Sequence, residues 1–131
     1  ELMNMLNKED ISRFVHISDS QLKVTDILFS CDILVSSSKS ESFPNIICEA
    51  MSSEIPCVVT DVGDCSRIVG DTGLIVNPND SIALANAIVD FIEMPLNERM
   101  ELGKQARKRI CNNFSLQLMI GEYHNLYSSL Y

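Results

Sequence analysis

The chain has 131 residues, a hydrophobic fraction of 46%, a charged fraction of 21% and a formal net charge of −8. This is a globular composition at the length of one ordinary domain with one core, and no apolar run approaches the ~18 residues that would cross a bilayer. The acidic balance argues against a general nucleic-acid surface, which needs clustered Lys and Arg to displace counterions.

The first ten residues, Glu-Leu-Met-Asn-Met-Leu-Asn-Lys-Glu-Asp, lack a basic region followed by an apolar segment, so they do not read as a secretory signal. They look like an amphipathic helix over 2–8, cut at its front. Phe14-Val15-His16-Ile17 predicts a strand over 13–17, then a helix over 22–30 and a strand over 33–36. The serines at 36, 37, 38 and 40 have no Gly-x-Ser-x-Gly frame and read as a polar loop leaving that strand. A helix over 44–53, a strand over 57–60, a helical turn near 65–69 and a strand over 74–76 follow. Helices near 80–93, 96–112 and 116–130 complete the order.

Short apolar strands alternating with helices imply a doubly wound, Rossmann-like parallel α/β sheet covered by helices on both faces, with extra C-terminal helices. Ligands in such sheets bind at the carboxyl ends of the strands, where the loops 36–44 and 62–66 should open. In the helix over 80–93, Asp80 or Asn79 is the N-cap candidate, and Ile82, Leu84, Ala85, Ala87, Ile88 and Phe91 are read as a broad packing face. Lys104, Arg107, Lys108 and Arg109 read as cations complementing the negative end of their helix, with anionic lipid or an acidic partner as the alternative.

Neither histidine has a companion at metal-ligand spacing, so no metal site is expected; His124 reads as a packing residue between Tyr123 and Tyr127. The five cysteines, 31, 48, 57, 65 and 111, form no Cys-x-x-Cys pair and read as reduced, buried thiols of a cytoplasmic protein.

The stretch Glu41-Ser42-Phe43-Pro44-Asn45-Ile46-Ile47-Cys48-Glu49 is the most informative. Pro44, with its fixed φ and no N–H, suits the first turn of a helix carried on by Ile46, Ile47, Ala50 and Met51. Glu41 then precedes the helix and Glu49 lies inside it, on either side of a helix start whose free N–H groups favour an anion. A nucleotide-sugar presents a diphosphate between a ribose diol and hexose hydroxyls, and two flanking carboxylates can each accept hydroxyl hydrogen bonds. On spacing alone, a helix-entry acid and a solvated helix carboxylate explain the pair as well.

Continuing through Glu49-Ala50-Met51, Ile55-Pro56-Cys57-Val58-Val59, Asp61-Val62-Gly63 and Gly73-Leu74-Ile75-Val76 with Pro78 and Asp80, the chain resembles the C-terminal donor-binding domain of family 4 retaining glycosyltransferases. The likeness runs from about Ser36 to Asp90 and, more weakly, to the C-terminus. Many relatives have glycine at the place of Ser42 and Gly-Gly-x-x-Glu where this chain has Gly63-Asp64-Cys65-Ser66-Arg67.

The resemblance implies half of a GT-B fold: residues 1–131 as a single nucleotide-sugar-binding domain, truncated on its N-terminal side, with the acceptor domain and the family's basic pair lying before Glu1. It implies a hexosyltransferase that retains anomeric configuration, uses a nucleotide-diphosphate sugar, and needs no cofactor or metal. Glu41 is assigned to the donor sugar as the catalytic residue, Phe43, Pro44, Asn45 and Ile46 to sugar and diphosphate, and Glu49 to the ribose hydroxyls. A saccharide or lipid-linked acceptor, in surface polysaccharide or lipopolysaccharide assembly, would be held through the missing domain, leaving the fragment inactive alone. A cytoplasmic place, a peripheral membrane contact at the inner face and weak self-association of the last helix are part of the same expectation. Alternatives are an epimerase-type GT-B protein, a domain that has lost activity, and an α/β receiver, for which Asp61 and Asp64 are present but no suitable lysine follows.

Overall fold

The computed structural model describes residues 2–17 and 23–130. Its elements are α1 (Leu2–Lys8), a 3-10 turn (Ser12–Phe14), α2 (Val24–Leu28), β1 (Leu34–Ser36), α3 (Asn45–Ser52), β2 (Cys57–Thr60), α4 (Cys65–Val69), β3 (Leu74–Val76), α5 (Ser81–Glu93), α6 (Leu96–Asn113) and α7 (Leu116–Ser128). The three strands form one parallel sheet in the order β1-β2-β3, with Val35 opposite Val58 and Val59 opposite Ile75. All their carboxyl ends therefore reach the same edge.

The alternation of side chains along a strand explains why both faces are covered. From the central strand, Cys57 and Val59 enter a core with Ile47, Ala50 and Met51 of α3, Ile68 and Val69 of α4, and Ala106 and Ile110 of α6. Val58 points the other way, onto Ala87 and Phe91 of α5. The crossover helices α3 and α4 thus share one face, and α5, after β3, covers the opposite one. Every residue of β2 is buried, the signature of a strand sandwiched between helix layers.

Where α6 crosses the end of α3, Gly103 faces the turn through Glu54; a Cβ on it would fall on the Glu54 carbonyl oxygen. Glu54 itself has φ +64°, so the chain turns sharply between α3 and β2.

Several expectations need correction. Residues 13–17 form no strand: Ser12–Phe14 is a 3-10 turn, and Phe14, Val15, His16 and Ile17 are exposed, so no sheet neighbour satisfies an extended backbone there. The expected helix over 22–30 is limited to Val24–Leu28, and residue 22 lies outside the described residues. Ile82 and Ala85 turn to solvent, which narrows the core face of α5; Asp80 does cap it, its Oδ1 accepting from the Ala83 N–H at 2.9 Å.

The basic residues of α6 do not cap their own helix, because it runs on to Asn113 and its last turn holds no cation. Arg109 serves α4 instead, donating from Nε to the Ile68 carbonyl at 2.8 Å and from Nη2 to the Arg67 carbonyl at 2.7 Å. His124 is exposed rather than packed, on a helix α7 with no buried residue. Of the cysteines expected to be buried only Cys57 and Cys65 are, Cys31 and Cys48 being half-buried and Cys111 exposed on α6. Among the described residues, no helix is long and apolar enough to cross a membrane.

Candidate nucleotide-sugar site

The loop from β1 to α3 brings the chain to the carboxyl edge of the sheet, and its shape is fixed by neighbours. Buried Thr60, the last residue of β2, donates its hydroxyl to the Ser38 carbonyl at 2.6 Å. Ser38 in turn donates its hydroxyl to Glu41 Oε1 at 2.7 Å. Past β2, the Asp64 N–H donates to the Ser42 carbonyl at 3.0 Å. Between them Gly63, at φ +53°, packs so closely that a Cβ would fall on the Glu41 carbonyl oxygen. The loops after β1 and β2 therefore meet, with Glu41 half-buried at their junction.

Pro44 is buried at the N-cap, one residue earlier than a first-turn position, and α3 begins at Asn45. No side chain caps this helix. A helix start leaves N–H groups without intrahelical partners, and here Asn45 and Ile46 present theirs from an exposed end. Glu49 is the fifth residue of α3, about 6 Å along the axis from its start at 1.5 Å of rise per residue. It is exposed and shares the Asn45 face at i, i+4 spacing. Asn45 and Glu49 are thereby brought together on one face, while Glu41 stands in the loop ahead of it.

A cleft of about 570 Å³ opens beside this helix start, lined by Phe43, Asn45 and Cys48 on one side and by Phe114, Met119 and Tyr123 on the other, with Arg67 at its wall. The rings of Phe43 and Phe114 lie 6.1 Å apart, tilted by 53°. A smaller hollow of about 170 Å³ lies on the α5 side of the edge, between Ser37, Lys39, Thr60 and Asn79.

Burial pushes the Cys48 thiol up, and the neighbouring charge of Glu49 adds to the effect. Burial also raises Cys65, opposed by a backbone hydrogen bond with Val62 and reinforced by the charges of Glu41 and Asp61. Both shifts favour the protonated thiol over the thiolate. No group of three metal-ligating side chains occurs among the described residues.

Three participants escaped the sequence reading. Ser38 had a signal, three residues before Glu41, the reach of a turn. Phe114 and Arg67 had none, because their places in the cleft depend on α6 and α4 folding back beside α3.

A family model described as Glycosyl transferases group 1 matches residues 2–94. N-acetyl-alpha-D-glucosaminyl L-malate synthase of Bacillus anthracis is 26% identical over 129 residues, 97% of this chain and 33% of the relative. Capsular polysaccharide biosynthesis glycosyltransferase CapM of Staphylococcus aureus is 33% identical over 103 residues, 75% of this chain and 26% of the relative. The chain thus spans about a quarter to a third of the length of these curated relatives. Among solved structures, sucrose-phosphate synthase of Thermosynechococcus elongatus superimposes with a TM-score of 0.86 at 27% identity, over 98% of this chain and 33% of that one. The three-stranded layer corresponds to the Rossmann-like part of such two-domain GT-B proteins.

Proposed function

This chain belongs to the group 1 glycosyl transferases, and from that premise we propose that it is the nucleotide-sugar-holding part of a retaining hexosyltransferase acting in surface polysaccharide or lipopolysaccharide assembly. The observation that carries the reading is the uncapped start of α3, set at the carboxyl edge of the sheet with Glu41 in the loop before it and Glu49 on its exposed face. The family membership decides against the receiver alternative. The name of the capsular polysaccharide relative supports a place in polysaccharide assembly.

In this reading the diphosphate lies against the first turn of α3, with the backbone of Phe43, Asn45 and Ile46 around it and Pro44 fixing the entry angle of the chain. Glu49 accepts hydrogen bonds from the ribose diol, and Glu41, oriented by Ser38, accepts them from the hexose. When the glycosidic bond to the diphosphate breaks, negative charge grows on the departing phosphate. The helix start stabilises that charge without rearranging, because its N–H groups are already aimed there. Holding the donor rigidly supplies the rest of this half's contribution. No metal or cofactor has a part in the reading. The acceptor is held by a further domain, so the 131-residue chain alone has negligible transferase activity.

The test is a thermal-shift screen of nucleotide-sugars on the full-length protein, with Glu49→Ala alongside, since a ligand bound to the native state raises the unfolding midpoint. One donor should raise the midpoint of the parent, and Glu49→Ala should lose about tenfold or more in affinity, the value of hydrogen bonds to a charged acceptor. A donor that binds the variant as tightly as the parent would refute the placement of the ribose.

A further inference from the structure

The cleft beside α3 carries a cation that the donor reading leaves without a role. Arg67 lies on α4, and its guanidinium stands 5.7 Å from the centre of the Phe114 ring, which leans in turn against Phe43. Its main chain is held in place by Arg109. Nη1 donates to Asp64 Oδ2 at 3.2 Å, whereas a guanidinium has five N–H donors, and the side chain is 68% exposed. Arg99 and Arg109 donate to main-chain carbonyls, Arg107 pairs with Glu54, and Arg13 lies over the Phe14 ring; Arg67 is the arginine that lines this cleft.

We propose that Arg67 is a specificity-determining residue, which selects a substrate bearing an oxyanion, carboxylate or phosphate, in the cleft between the start of α3 and α7. The inference rests on the glycosyltransferase reading, which puts sugar chemistry at that helix start. The Phe114 ring lies within cation–π range of the guanidinium, and the N–H donors not engaged by Asp64 are free for a bidentate contact, the mode in which arginine recognises planar anions best. The exposed pair with Asp64 contributes little to stability, so the fold alone gives the cation scant purpose.

The oxyanion has two sources, the donor hexose or the acceptor, and matched pairs of probes separate them. Affinities are measured by calorimetry on the full-length protein, parent, Arg67→Gln and Arg67→Lys. The donor arm compares UDP-glucose with UDP-glucuronate and GDP-mannose with GDP-mannuronate. The acceptor arm compares citronellol with citronellyl phosphate in the presence of UDP or GDP. In the parent, the charged member of one pair should bind about tenfold tighter than its neutral partner, the worth of a charge-assisted hydrogen bond. Arg67→Gln should erase that ratio and Arg67→Lys should keep part of it. A parent without preference in either arm, or a preference that survives Arg67→Gln, overturns the proposal. Should the parent bind neither the neutral nor the charged nucleotide-sugars, the donor reading itself fails and takes this inference with it, a result distinct from lost selectivity.

Discussion

Gly63 and Ser38 decide where Glu41 can stand. Gly63 combines a left-handed φ of +53° with contact against the Glu41 carbonyl, so both its backbone and its missing side chain are used. Gly63→Ala should therefore destabilise the protein by about 2 kcal/mol or more, combining left-handed strain with a steric push on the Glu41 loop. Chemical denaturation of the full-length protein measures this, and a change below the error of the method would mean that the two loops are not wedged together. Cys57 offers a second residue-scale test. Burial, with a smaller effect from Cys48, pushes its thiol from 9.0 up to about 12. The unfolded chain then loses the proton first as pH rises, so this group's contribution is fully present below pH 9.0 and falls as pH climbs toward about 12. Denaturation midpoints should drop across that window in the parent and drop less in Cys57→Ala. Equal slopes in both proteins would contradict the assignment.

At the scale of elements, α3 and β2 were legible because local and global signals agree: Pro44 marks the helix entry, Ile47, Ala50 and Met51 recur at helical spacing, and Cys57-Val58-Val59 is a continuous apolar run that only a doubly covered strand needs. The segment 13–17 was misread because β-rich composition says nothing about whether a pairing partner exists. The capping role of Arg109 was misassigned for a related reason: the carbonyls that it satisfies belong to α4, some forty positions away in the chain. The site divides likewise. The placing of the Glu41–Glu49 segment at the entry of a helix on the carboxyl edge of the sheet could be read from the sequence, whereas the wall made by Arg67 and Phe114 is a product of tertiary folding. The packing of α6 on the α3 turn gives an element-scale prediction: Gly103→Ala should cost about 1–3 kcal/mol by overpacking against the Glu54 carbonyl. An unchanged unfolding midpoint would show that α6 sits farther from that turn.

For the whole molecule, the outer helix α7 matters most. Leu116, Met119, Ile120, Tyr123, Leu126 and Tyr127 fall along one side of it, with exposures between 49% and 61%. A contiguous apolar stripe of this kind is sticky in water. The 131-residue chain is thus expected to self-associate weakly at high concentration, and Tyr123→Glu should weaken that association; a strict monomer by light scattering would count against it. The chain spans about a quarter to a third of the length of the curated relatives. The proposal assigns to the described layer one task, holding a donor at one sheet edge. The most direct test of that claim is a crystal structure of the full-length protein with a nucleotide-sugar bound. The account predicts the diphosphate within hydrogen-bonding distance of the Asn45 or Ile46 N–H, ribose hydroxyls on Glu49 and the hexose on Glu41. A nucleotide seated away from the start of α3, with both carboxylates facing solvent, would contradict it.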